Sequence, residues 1–260
     1  MELWQGIQEG ALALLEGITN AALAITKAFK SPQMVRVTRF IANIAPALKP
    51  FVARIPAPGP VLEVLKTLVV DIIPAVARLL LDSIPRTETP EALGRKIERA
   101  AGMDMEPEDF DSTEEYLNHV REAIPDEPPE FFEAMDERDR LKYASVASGM
   151  YARSLEEKYG VMLEPAFWNA VAQSGMKDVF SMDALIESLK ANGVEDGTLL
   201  DDFFAGRLEN DPYEYDCVDK SLQDALLQKM GDVGADVLRG QIDACVERYR
   251  RGLSGEGPNP

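Results

Sequence analysis

Apolar residues in the first third of the chain recur at spacings of three and four. Between residues 61 and 84, Val61, Leu65, Leu68, Ile72, Val76 and Leu79 fall on one side of a helix turned by about 100° per residue. Leu62, Val69, Ile73 and Leu80 stand beside them, and Glu63, Lys66, Thr67, Asp71, Arg78 and Asp82 occupy the other side. The pattern predicts an amphipathic helix with a wide apolar face. A charge every few positions argues against a lipid-spanning segment, which needs roughly 20 mostly apolar residues. Pro74 falls on the polar side, where the carbonyl it frees reaches water, so it is expected to bend the helix without ending it.

Two further helices precede it. Over residues 3–29, Glu2, Glu9 and Glu16 share one side with Asn20 and Lys27, next to a stripe of Gly6, Gly10, Ala13, Gly17 and Ala24. Each glycine costs an isolated helix about 0.5–1 kcal/mol relative to alanine, so a close backbone approach is expected there. Two readings compete: packing on the chain's own hairpin partner, or a contact with another subunit or a membrane helix. Over residues 33–49, Met34, Val37, Ile41, Ile44, Ala45 and Leu48 oppose Arg36, Arg39 and Asn43. Pro46 and Pro50 are expected to disturb its end, and "RIPAPGP" reads as a rigid turn.

Helical periodicity continues in shorter pieces. Thr89 before Pro90 and Ser112 before Glu115 carry N-terminal cap signals. "PDEPP" is a breaker, and the stretch from Glu130 to Tyr159 reads as one long helix interrupted near "DERDR". Gly160 and Gly193 are natural stops, and Ser181 is a cap. No alternating strand run and no internal repeat is visible. The expected fold class is all-α: a multi-helix protein with an N-terminal apolar three-helix region and an acidic C-terminal helical domain. The expected divisions are residues 1–85, 86–251 and a loose tail, 252–260.

Charge changes this picture. The 260 residues carry a net −18. Residues 1–85 hold six acids and eight bases, and the remainder 39 acids and 19 bases. From Gly17 to Leu62 there are Lys27, Lys30, Arg36, Arg39, Lys49 and Arg54 and no acid. That run reads either as a patch for anionic headgroups or an acidic partner, or as a partner for the acidic remainder of the same chain. The overall field repels phosphates and excludes nucleic acid as a partner. The opening "MELWQGIQEG" is acidic where a secretory leader is basic, so an intracellular, cytoplasmic protein is expected, peripheral to a membrane or within a large assembly.

Candidate chemistry is sparse. His119 is the lone histidine, and no nucleophile-elbow or phosphate-loop motif occurs. Cys217 and Cys245 make neither a disulfide framework nor a zinc set. "DMEPEDFDSTEE" and "ENDPYEYDCVD" concentrate carboxylates without the alternation of a calcium loop, so helix-dipole roles are expected and no metal or cofactor is assigned. Phe131–Phe132, Phe167–Trp168 and Phe203–Phe204 form adjacent pairs, each expected to place one ring inside and one outside.

The expectation is a non-enzymatic interaction or assembly protein. It would dock through its first helices on a partner subunit, a second copy or an anionic membrane surface. The interface residues expected are Trp4, Gly6, Gly10, Gly17, Lys27, Lys30, Arg36, Arg39, Leu65, Ile72 and Leu79. The alternatives are a membrane-inserting effector triggered by protonation of Glu9 and Glu16, and a carboxylate- or metal-dependent all-α enzyme.

Overall fold

The structure, a computed structural model, describes residues 2–52 and 58–254; residues 1, 53–57 and 255–260, and the side chains of 2–8, 58 and 59, lie outside that description. It is helical throughout. An isolated bridge between Met162 and Asp196 is the one strand-like pairing among the described residues. The chain forms two compact units, residues 1–157 and 158–260. The division expected after residue 85 falls inside the first.

In the first unit, α1 (Glu2–Thr26) and α2 (Pro32–Val52) pack on each other across the turn at 27–31, and α3 (Pro58–Lys66) touches both. A π-helical segment (Thr67–Ile72) leads into α4 (Ile73–Leu80). Then come α5 (Pro90–Ala101), α6 (Thr113–Ala123), the short α7 (Pro129–Glu133) and α8 (Glu137–Tyr159). Pro46 and Pro50 sit inside α2, which runs on to Val52 with both rings on its exposed side.

Helix α8 explains the first unit. Every residue from Tyr143 to Ala152 is buried, so the helix is enclosed on all sides. Its short side chains, Ala144, Ser145, Ala147, Ser148, Gly149 and Ala152, let neighbours come close. A Cβ on Gly149 would stand 2.9 Å from Val37 Cγ1 of α2, and one on Gly94 of α5 would stand 2.0 Å from the Tyr143 carbonyl oxygen. Helix α8 thus covers part of the apolar face of α2, at Val37, Phe40 and Ile41, within its own unit.

The π segment corrects two expectations about residues 61–84. An i→i−5 turn holds one more residue than an α turn, so the positions after it lag by about 100° around the axis. Leu65, Leu68 and Ile72 precede or lie within the lag and are buried; Leu79 follows it and is 71% exposed. Pro74, expected on the polar side, is buried instead. Its freed carbonyl does not reach water. Ile73 N–H donates to Leu68 O, and Pro74 has no N–H, so Val69 O has no donor from either position. Ser148 Oγ of α8 donates to it at 2.6 Å.

The second unit contains α9 (Pro165–Ser174), α10 (Met176–Val179), α11 (Met182–Ala191), α12 (Thr198–Ala205), α13 (Pro212–Met230) and α14 (Ala235–Ser254). Helix α9 packs on α12 and α14, and α11 on α13. Gly175 ends α9 with φ +70°, and Arg248 Nη1 donates to the Ser174 carbonyl at 3.1 Å beside it. Helix α14 continues to Ser254, past the boundary expected at residue 252, and residues 255–260 of the expected tail lie outside the described residues. The cap signals act as expected where local chemistry suffices. Thr89 Oγ1 accepts from Ala92 N–H at 3.2 Å, and Ser112 Oγ from Glu115 N–H at 3.1 Å. Ser181 stands at the N-terminus of α11 without a side-chain cap bond.

Candidate interaction surface

The outward face of α1 carries Gly10, Ala13, Gly17, Ala21 and Ala24, with Glu9, Glu16, Asn20 and Lys27 along it; its inward face is Ala11, Leu15, Ile18, Ala22 and Ile25. Nothing lies within 4 Å of where a Cβ on Gly10 or Gly17 would stand. The small residues thus face open space, and α2 packs on another side of the helix. Helix α2 presents Val35, 66% exposed, with Arg36, Arg39 and Lys49. Lys27 and Lys30 are exposed in the turn between the helices. The Lys30 N–H donates to the Glu106 carboxylate at 3.1 and 3.2 Å, so one acid of the "DMEPEDFDSTEE" cluster closes the approach to α2.

Of the expected interface residues, Gly10, Gly17, Lys27, Lys30, Arg36, Arg39 and Leu79 are on the surface. Leu65 and Ile72 are 0% and 3% exposed and belong to the core of the first unit, because the stretch before the lag faces inward. Trp4 and Gly6 lie outside the residues whose side-chain surroundings are described.

Buried polar groups elsewhere hold helices together. Arg121 of α6 forks onto Glu88 with two bonds of 2.9 Å, and Tyr151 of α8 donates to the same carboxylate at 2.9 Å. Arg78 Nη2 donates to the Glu88 carbonyl at 2.6 Å. Burial, then the Glu88 charge, pushes the Tyr151 hydroxyl well above its ordinary range, so it stays a donor. The spacing of Tyr143, Tyr151 and Tyr159 gains meaning here: each donates to a carboxylate on another segment, Glu98, Glu88 and Asp183 respectively. Tyr249 and Arg207 likewise both reach Asp201, whose carboxyl burial pushes upward. Sequence reasoning missed the tyrosine–carboxylate pairs because each joins residues at least 24 positions apart.

The other candidates have structural surroundings. His119 is exposed with its ring 5.0 Å from that of Phe110. In "ENDPYEYDCVD", Asp211 Oδ1 accepts from Glu214 N–H at 3.2 Å and Asp219 pairs with Arg239 at 2.9 Å. Among the described residues no three His, Cys, Asp or Glu side chains gather closely enough to hold a metal ion. Cys217 and Cys245 are free thiols. The aromatic pairs do not divide as expected: Phe167, Trp168, Phe203 and Phe204 are all buried, and Phe131 and Phe132 are both half-buried. Each pair meets edge to face, an arrangement that lets both rings share one apolar site.

Comparisons with protein-family models, curated proteins and solved structures returned no match. Function is therefore argued from the chain's own residues.

Proposed function

We propose that the chain is a non-enzymatic helical assembly protein that docks through the outward face of α1, with a second copy of itself as the partner. The observation that carries this reading is the side-chain-poor face at Gly10, Ala13, Gly17, Ala21 and Ala24, open to solvent over four turns. Glycine is a costly residue there unless another backbone comes close. An antiparallel two-fold pairing centred near Gly17 sets Glu9 opposite Lys27 of the second copy and Glu16 opposite Asn20. Exposed pairs of that kind add little affinity but select orientation.

Sedimentation velocity of the full chain over a concentration series tests the proposal. The expected result is a dimer that Gly10→Leu/Gly17→Leu abolishes without lowering monomer stability. A monomer at every concentration overturns it. If that monomer instead binds phosphatidylglycerol vesicles, with binding lost in Arg36→Glu/Arg39→Glu, the surface is a headgroup site. Among the described residues no helix is long and apolar enough to cross a membrane.

A further inference from the structure

The second unit holds a cleft of about 490 Å³, apart from the α1 surface, where α12, the turn at 206–211, the start of α13 and α14 meet. Phe203, Leu208 and Ile242 close its floor at 4%, 5% and 1% exposed, and the exposed Pro212 and half-buried Tyr215 and Val246 supply the apolar surface a ligand can reach. The Tyr215 ring lies 4.8 Å from that of Phe203, tilted by 34°. This size and lining suit a small organic body.

The charges around the floor are unevenly answered. Arg239 is fully engaged: Nε pairs with Asp243 at 3.2 Å, Nη1 with Asp219 at 2.9 Å, and Nη2 donates to Tyr215 Oη at 3.2 Å. Arg250 Nε donates to the Phe204 carbonyl at 3.0 Å. Its Nη2 and Glu209 Oε1 share the corner at Gly206, lying 2.8 and 3.1 Å from where a Cβ there would stand. Gly206 has φ +77°, so that corner is closed to a side chain on both counts. Asp216 remains. It is exposed on the lip, and among the described residues no cation stands within ion-pair distance of it. The surrounding unit holds 19 acids against ten bases.

We infer that this cleft binds an organic ammonium group on an aromatic or aliphatic body. The body rests on Pro212, Tyr215 and Val246, and the nitrogen lies at Asp216 with Glu209 beyond it. The aromatic faces favour a cation for the same electrostatic reason as the carboxylates. An anion would meet Asp216, Glu209 and Asp243, with Arg239 already engaged and Arg250 alone to answer it. The nitrogen stays at the wet lip, so it keeps part of its hydration and pairing costs little.

Amide chemical-shift titration of the full chain with 4-phenylbutylamine, 4-phenylbutanol and 4-phenylbutyrate tests this. The expected order of affinity is amine, alcohol, acid, with the amine at least about tenfold tighter than the alcohol and shifts confined to residues 203–216 and 239–250. Asp216→Asn should lose most of the amine's advantage. Asp178→Asn, an exposed acid on α10 outside the cleft, removes the same unit of charge and should lose almost none of it. N-acetyl-lysine methylamide separates the sources. Binding as tight as the amine assigns the cleft to a lysine side chain of a partner, and weaker binding assigns it to a free amine. Equal binding of amine and alcohol, shifts elsewhere, or equal losses in the two variants would overturn the inference.

Discussion

At Gly94 and Gly17 the same substitution should have opposite signs. A Cβ on Gly94 meets the Tyr143 carbonyl oxygen at 2.0 Å, and backbone on both sides must give way. Gly94→Ala should cost about 3 kcal/mol or more. At Gly17 nothing lies within 4 Å, so Gly17→Ala should gain about 0.5–1 kcal/mol from helix propensity. Urea unfolding midpoints of the two variants check both. Cys245 gives a pH prediction. Burial pushes its thiol above the ordinary range, so the folded state holds that proton more tightly than the unfolded chain. Its contribution is whole below the unfolded value near 8.5 and declines as pH rises beyond it. The stability difference between the native chain and Cys245→Ala should be level below about pH 8 and fall above it. A maleimide should label the half-buried Cys217 first in the folded protein. Glycine positions were visible in the sequence, but which of them face a backbone and which face open space was not. That depends on what the fold brings to within one carbon's width.

At the scale of elements, helix starts and stops were legible because their causes are local. Thr89 and Ser112 cap with donors three residues away, and Gly160 and Gly193 end helices with φ near +69° and +80°. The π segment was not legible. Its stability rests on a hydroxyl 79 positions away, and it alone turns Leu79 outward and Pro74 inward. Ser148→Ala should cost about 1–3 kcal/mol, because the buried Val69 carbonyl then loses its donor. In a Pro74→Ala background, the restored N–H can serve the helix ladder. The same change should then cost under about 1 kcal/mol. A double-mutant cycle by chemical denaturation measures the coupling, and additive costs would show that the two devices are independent.

Across the whole molecule, net charge is the dominant long-range term. At −18 the chain repels itself, while its ion pairs act over short distances, several of them partly shielded from solvent. Screening weakens the first far more than the second. Melting temperature should therefore rise with sodium chloride, mostly below about 0.1 M, where the Debye length shrinks to about 10 Å. A fall with salt would mean that exposed ion pairs outweigh self-repulsion. The charge split along the chain was plain in the sequence but does not follow the fold, since residues 1–157 and 158–260 each carry a net −9. It placed the division at residue 85, because composition changes there. The fold divides at 157.

Periodicity and local chemistry alone determined that this protein is helical, where most helices begin and end, and that α1 carries an unusual stripe of small residues. These are short-range effects of backbone geometry, side-chain shape and capping, and they are written within a few positions. Only the tertiary structure decided that the middle of α8 is enclosed on all sides, that its Gly149 packs against α2, and that a π turn rotates half of one helix. It also decided that the stripe on α1 faces outward. Burial is a property of distant segments meeting, and no window of sequence contains both partners.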